Sequence, residues 1–241
     1  MRYRLYYWPG IQGRGEFVRL ALEDAGADYD DVARLPGRTG GIEAMTRILG
    51  DISSVSRPFA PPFLKAGRLI IAQTANILHY LGPRLELVPE SEARRIWTHQ
   101  LQLTVADFVG EIHDVHHPVA GSLYYHQQKQ ESKRRAGYFI KERIPKYLNY
   151  FECLLATNAK NTHYLLGRTF TYVDLSMFQL IAGLRYAFPN RMKQLEKDYP
   201  RLADLHDKVM ERPNVNGYLS SPRRIPFNEN GIFRHYPELD N

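Results

Sequence analysis

The spacing of apolar residues in this 241-residue chain changes once, near Gly82, and no other feature constrains the fold as strongly. Upstream of that point, short apolar runs alternate with turn residues. Tyr3-Arg-Leu-Tyr-Tyr-Trp8 ends at Pro9-Gly10 and reads as a strand closed by a turn. Phe17, Val18, Ala21, Leu22 and Ala25 recur at three- and four-residue spacing, which predicts an amphipathic helix from Arg14 to Ala25 that ends near Gly26. A strand from Tyr29 to Ala33 and an irregular stretch through Gly37, Gly40 and Gly41 follow. Phe63-Leu-Lys65 and Leu69-Ile-Ile71 flank Ala66-Gly67 as a hairpin, and Thr74 to Leu81 is helical.

Downstream, Pro83 to Glu92 carries two prolines and reads as a linker. Beyond it every periodic segment is helical. Trp97, Leu101, Val105, Phe108, Ile112 and Val115 form one stripe, and Phe139, Ile140, Ile144, Tyr147, Leu148, Phe151 and Leu155 form another. Tyr172 to Phe188 is apolar nearly all round, as a central helix must be. The expectation is therefore an α/β domain over 1–82, a linker over 83–92, and an all-helical domain with a C-terminal tail over 93–241.

Cys153 is the only cysteine, so neither an internal disulfide nor a CxxC redox pair can form. A cytoplasmic location fits that usage. With 44% hydrophobic residues, 24% charged residues and no apolar run of membrane-spanning length, the chain reads as globular, with no membrane partner. The N-terminus runs directly into a strand, which predicts no secretory signal. The net charge of +6 is spread over both parts, with 10 Lys and Arg against 8 Asp and Glu up to residue 82 and 22 against 18 beyond. Lys133-Arg-Arg135 and Arg223-Arg224 are too short for a nucleic-acid footprint, and no nucleic-acid partner is expected.

Particular residues then acquire a pattern. Tyr7-Trp8-Pro9, Gly13-Arg14 and Val18-Arg19 are similar to the first strand and helix of Tyr-type glutathione S-transferases of the pi, mu and sigma classes. Pro62-Phe-Leu64, with Gln73-Thr74 eleven residues after the proline, resembles that family's cis-proline strand and Gln-Ser pair. Leu166-Gly167 and Thr171-Tyr-Val-Asp174 look like its capping box, and Tyr199-Pro-Arg-Leu202, Arg212-Pro213 and Tyr218-Leu219 match its closing helices. The matches span residues 3–82 and about 90–220. The resemblance implies a thioredoxin-like domain followed by a helical bundle. It also implies glutathione as co-substrate, an apolar electrophile as the second substrate, no metal, and a homodimer.

The same resemblance makes Tyr7 the catalytic residue; by position in the strand alone, Tyr6 and Tyr3 are equally placed. One hydroxyl is sufficient in magnitude. A free thiol has a pKa near about 8.5, so making it mostly thiolate at neutral pH takes roughly two units, or about 2.7 kcal/mol. A hydrogen bond to a charged group contributes about 1.5–3 kcal/mol, and a helix N-terminus about 0.3–2 kcal/mol. Arg14, Pro61, Pro62, Gln73, Thr74 and Asp107 are the glutathione-binding residues that the resemblance implies, with Asp107 reaching the neighbouring subunit's ligand. Gln73 and Thr74 precede a helix whose free N–H groups favour a carboxylate, and Thr74 also reads as that helix's N-cap.

Thr171 and Asp174 have capping-box spacing, and Phe170 with Leu175 can staple the same helix. His113 and His117 stand at i and i+4, but His-Asp-Val-His-His lacks a zincin's glutamate and reads as surface histidine. Gly10, Gly13 and Gly15 do not have dinucleotide-binding spacing. Three features depart from the family pattern. The loop between Tyr7 and Gly13 is one residue longer than in the mu class, residues 34–60 lack the usual Trp and Lys, and Pro61 has no N–H where relatives pair backbone with the ligand. Pro61 and the altered 34–60 stretch motivate, as the alternative to a transferase, a non-catalytic binding or structural member of the same fold with weak glutathione affinity, and the longer loop bears on where the Tyr7 hydroxyl lies. A thiol-disulfide reductase would need a cysteine near residues 7–14, and none is there.

Overall fold

The computed structural model describes residues 1–157 and 163–240. Its N-terminal part is a four-stranded mixed sheet in the order β2-β1-β3-β4. Strand β1 (Tyr3–Tyr6) pairs parallel with β2 (Tyr29–Asp31) and antiparallel with β3 (Phe63–Ala66), which continues through a hairpin into β4 (Leu69–Ala72). The connection from β1 to β2 is helix α1 (Gly15–Asp24), within a residue of its predicted ends. The period-two alternation of β1 sorts its side chains between two apolar clusters. Tyr3 and Leu5 pack with Val18, Leu22, Ile77 and Leu81, whereas Tyr6 packs with Val32, Met45 and Phe63.

The stretch after β2 differs from expectation. Residues 41–49 form a helix, α2 (Gly41–Leu49), which buries Ala44 and Met45 against Tyr6. Its three- and four-residue apolar spacing (Ile42, Met45, Ile48, Leu49) is helical, but Gly37, Gly40 and Gly41 at its head read as a loop. The glycines serve the entry to the helix: Gly41 has φ +73°, and a Cβ on Gly40 would overlap the carbonyl of Leu35. Strand β2 ends at Asp31, two residues short of the predicted Ala33, because Val32–Arg34 turn as a 3₁₀ segment.

After α3 (Thr74–Leu81) the regular elements among the described residues are helical to residue 219, apart from isolated bridges between Tyr164 and Gly167 and between Leu166 and Thr169. The helices are α4 (Glu92–His116), α5 (Lys129–Tyr138), α6 (Ile144–Thr157), α7 (Tyr172–Ala187), α8 (Pro189–Leu195), α9 (Pro200–Met210) and α10 (Pro213–Leu219). The predicted stripe of α4 is buried, apart from half-exposed Trp97. Helix α7 is the central helix, buried on nearly every side. Its capping box forms as predicted: Asp174 accepts hydrogen bonds from the Thr171 amide (2.8 Å) and hydroxyl (3.0 Å), and from the Leu165 amide (2.8 Å). The chain after α10 folds back over this helical layer. The Phe233 ring fills the notch left by Gly183 on α7, and Asp240 accepts hydrogen bonds from the first free amides of α8, those of Asn190 and Arg191. Among the described residues, no helix is long and apolar enough to cross a membrane.

Candidate functional site

Tyr7 follows β1 directly and is 5% exposed. Its neighbours in the strand are committed elsewhere, since Tyr3 belongs to the cluster under α3 and Tyr6 stacks on Phe63 at 4.6 Å. The Tyr7 ring instead lies against the loop that opens α1. Gly13 sits at φ +46°, where a Cβ would overlap the Tyr7 hydroxyl, and a Cβ on Gly15 would stand 2.5 Å from Cδ1 of the ring. Gly13 and Gly15 are thus steric requirements of Tyr7, a role that sequence reasoning missed, whereas a Cβ on Gly10 would meet nothing within 4 Å.

The Tyr7 hydroxyl accepts a hydrogen bond from the Arg14 amide at 2.9 Å. No acceptor for its own proton occurs among the described residues. Burial raises its pKa, while the Arg14 amide and the Arg14 and Arg19 charges pull the other way. The net direction keeps the phenol protonated at neutral pH. It is therefore a hydrogen-bond donor with a free proton, strengthened by the amide that donates to its oxygen.

The same Arg14 residue reaches the start of α3, where its carbonyl accepts a hydrogen bond from the Thr74 hydroxyl at 3.4 Å. Thr74 is the first residue of α3 and makes no cap; Gln73 occupies the cap position, also without a side-chain bond to the helix. Thr74 is thus not the N-cap expected of it, because its hydroxyl is turned toward the Tyr7 loop. Gln73 adopts φ +70°, a left-handed conformation uncommon for a residue with a side chain. Its carbonyl receives the Ile77 amide at 2.8 Å, so the amides of Thr74, Ala75 and Asn76 begin the helix unpaired. They look onto a cleft of about 260 Å³ lined by Arg14, Gln73, Thr74, Asn76, His99 and Gln102, among others. His99 and Gln102 were not anticipated from sequence; they enter the cleft from α4.

The peptide between Pro61 and Pro62 is cis, at the position the sequence pattern expected. Tyr6 pairs with Phe63, so continuing that register sets Pro62 opposite Tyr7 and Pro61 one step beyond. Pro62 is buried and Pro61 is half-buried. Asp107 lies apart from this group, exposed on α4. The histidines are not ordinary surface residues. His116 is buried and points Nε2 at the Ile232 carbonyl of the tail (2.7 Å), while its Nδ1 meets Nδ1 of His117 at 2.6 Å. His113 stacks on His117 at 4.9 Å. Burial and the Arg234 charge push His116 down to about 3 and His117 down to about 4, so both are neutral. No grouping of ligands able to hold a metal occurs among the described residues.

Residues 113–222 match the family model described as "Glutathione S-transferase, C-terminal domain". A glutathione S-transferase of Plasmodium falciparum is 27% identical over 222 residues, covering 90% of this chain and 94% of that protein. Glutathione S-transferase P 1 of Xenopus laevis is 24% identical over 92% of this chain and 93% of its own length. The solved Pi-class glutathione S-transferase of Onchocerca volvulus superposes with a TM-score of 0.72 at 24% identity, covering 96% of this chain and 99% of that one. The chain, a mixed sheet leading into a helical bundle, is thus similar over almost all of its length to glutathione S-transferases from distant organisms, and its C-terminal part matches that family's model.

Proposed function

We propose that the protein is a catalytically active glutathione transferase in which Tyr7 holds the bound thiol as a thiolate for attack on an apolar electrophile. The observation that carries this reading is the backbone of Arg14. Its amide fixes the Tyr7 oxygen, leaving the phenolic proton free, and its carbonyl fixes Thr74 at the head of α3. The backbone of one residue thereby ties the thiol end of the site to the end suited to a carboxylate. The glutamyl carboxylate would meet the free amides of α3 with Gln73 and Thr74, and Arg14 would add positive charge. The Pro61–Pro62 segment would border the cysteinyl part.

Each group has one task in the reaction. Glutathione loses its thiol proton to solvent, and Tyr7 donates a hydrogen bond to the resulting sulfur anion. The anion attacks the electrophilic carbon, forming the C–S bond as the leaving group departs or the double bond accepts the electron pair. Tyr7→Phe removes only the donor and should lower the rate with an aryl halide at least about tenfold, the value of a hydrogen bond worth about 1.5–3 kcal/mol. Because the hydroxyl also accepts the Arg14 amide, the variant should lose up to about 1 kcal/mol of stability, not none. Equal turnover of variant and parent would reject Tyr7.

The alternative reading, a binding member with weak glutathione affinity, draws support from one feature: Pro61 offers no N–H to a ligand backbone. Calorimetric titration with glutathione separates the two readings. We further propose a cytoplasmic homodimer with Asp107 facing the partner's glutathione. In support, Ile52, Val55, Phe59, Leu69, Ile96 and Leu103 leave large apolar side chains exposed, and Leu103 lies on α4 one turn before Asp107. Sedimentation as a 28.0 kDa monomer at micromolar concentration would remove the dimer.

A further inference from the structure

The loop that carries the Tyr7 contacts is fixed by a closed circuit of buried polar groups that begins and ends on Gln12. Gln12 is 4% exposed. Its side-chain amide donates to the Ile225 carbonyl in the C-terminal tail, and its side-chain oxygen accepts from Gln179 Nε2 of α7 at 2.8 Å. Gln179 Oε1 accepts from Arg224 Nη2 at 3.0 Å, and Arg224 Nη1 bonds to Glu16 Oε1. Glu16, fully buried, also receives the Tyr218 hydroxyl at 2.7 Å and pairs through Oε2 with Arg19 at 3.2 Å. Arg19, equally buried, returns Nη1 to the Ile11 and Gln12 carbonyls, both at 3.3 Å, while its Nε donates to Asp31 at 2.8 Å. The Arg19 guanidinium lies 5.7 Å from the centre of the Tyr7 ring.

Both ends of residue 12 are thus held, the side chain by α7 and the tail, the backbone by Arg19 and by the Glu16 amide at 3.0 Å. The next two residues are Gly13, against the Tyr7 hydroxyl, and Arg14, whose amide donates to it. Among the described residues Arg19 Nη2 and Asp31 Oδ1 are buried without a partner, but the bonds from Gln12 through Gln179, Arg224, Glu16 and Arg19 are all made. A buried network paired in this way has few alternative arrangements, and a donor held rigidly at its target needs no reorganisation during reaction. Its partners lie 167 and 213 residues away in sequence, so the catalytic loop takes its geometry from the end of the chain. Phe227, Ile232 and Phe233 of the tail close on Gln12 and Gly13 and leave only about 10 Å³ between them.

We propose that Gln12 is a positioning residue for catalysis: by locking the loop to α7 and the C-terminal tail, it sets the Arg14 amide and thereby the strength with which Tyr7 stabilises the thiolate. The proposal rests on the glutathione-transferase reading and adds a lever to it that does not touch the ligand. Gln12→Met keeps the side chain's length and removes both hydrogen bonds. The thiolate ultraviolet absorbance of bound glutathione, followed against pH, should show its midpoint raised by about one unit, or about tenfold in the ionisation constant. Glutathione affinity, read by calorimetry well below the parent's midpoint where the bound thiol is protonated in both proteins, should change less than about twofold, since no ligand contact is removed. Above it the affinity falls only by the linked loss of ionisation, toward about tenfold. Below the parent's midpoint kcat should fall about tenfold with KM for glutathione nearly constant, and above the variant's midpoint the two rates should converge.

Gln179→Met cuts the same circuit from α7 and supplies the test if the first variant does not fold. It should raise the midpoint similarly, and the double variant should go no further than either single one, because both remove one coupled unit. A residue that only stabilised the fold would lower the melting temperature and leave the midpoint of the folded fraction where it was; that result in both variants overturns the proposal. If the parent protein itself fails to bind glutathione or leaves its thiol at the free value, the transferase reading falls and the proposal with it, and the parent curve alone reveals that case.

Discussion

The two ends of the site are built on opposite plans. At the Tyr7 end the polar support of the loop is buried and largely paired: Glu16, Arg19 and Gln179 are fully enclosed, Gln12 nearly so, and bonds join them to residues from three distant segments. At the α3 end the polar groups are left open. Gln73 is exposed, and among the described residues no side chain caps the helix and its first amides have no partner. On the proposed function, the difference follows from what each end would have to do. A group that must stabilise a charge during reaction gains from being fixed beforehand, whereas a group that binds a fully formed carboxylate gains from unsatisfied donors that the ligand completes. Rigid support therefore belongs at the sulfur, and unpaired donors belong at the carboxylate.

The most severe way to break the comparison is to disturb the Tyr7 end sterically. Gly15→Ala places a methyl group 2.5 Å from the Tyr7 ring, and both sides are fully packed, so the ring has to move. A displacement of the hydroxyl by about 1 Å costs on the order of a hundredfold in rate. An alanine at Gly217, where an added Cβ meets nothing within 4 Å, is the matching control and should leave the rate unchanged. Comparable activity for both variants would show that the packing around Tyr7 is not what orients it.

The support of that end is also acid-labile. His116 holds the tail through the Ile232 carbonyl and is neutral because burial depresses its pKa to about 3, below the ordinary value of 6.5. The unfolded chain therefore binds a proton near pH 6.5 that the folded chain refuses, so stability is full above that pH and falls as pH drops toward 3. Each unit in that window is worth about 1.4 kcal/mol, so lowering the pH from 7 to 5 should remove on the order of 2 kcal/mol through this residue. Urea unfolding at a series of pH values measures the slope. His116→Gln should flatten it, and an unaltered slope would assign the acid sensitivity to other groups.

The sequence disclosed these regions unequally, for identifiable reasons. The elements of the sheet and of helices α1, α3, α4 and α7 were legible because their apolar residues keep one period over several turns. Helix α2 was not, since three glycines at its head carry a loop signal that outweighs nine residues of helical spacing. The Tyr7 position was legible only through the family resemblance; the strand's alternation places Tyr6 and Tyr3 on opposite faces but does not say that both faces are filled. The Gln12 circuit was invisible. Its members stand at 12, 16, 19, 179, 218 and 224, and no local pattern marks a glutamine that will bond across the fold. His116 was missed similarly, because what buries it is a tail more than 100 residues later.

The smallest expected effect sharpens the comparison at the boundary between the two ends. Pro61 stands one step beyond the residue opposite Tyr7 and is half-buried, with no N–H to offer. If bound glutathione lays its backbone along this segment, one of its carbonyls faces a position that cannot donate. An unpaired buried acceptor costs about 1–3 kcal/mol, less where water reaches it. Proline offsets part of that by stiffening the free chain, an effect of about 0.4–1 kcal/mol. The net is about 1 kcal/mol in favour of a residue with an amide, so Pro61→Val should tighten glutathione binding roughly fivefold. The gain should appear in affinity, while the midpoint of thiol ionisation stays where Tyr7 sets it, because the added donor meets the ligand backbone and not the sulfur. A variant that binds no more tightly would show that the ligand does not use this segment. One that binds more tightly and also shifts the thiol would mean that the two ends are not independent, and that backbone pairing at Pro61 helps to place the sulfur against the hydroxyl.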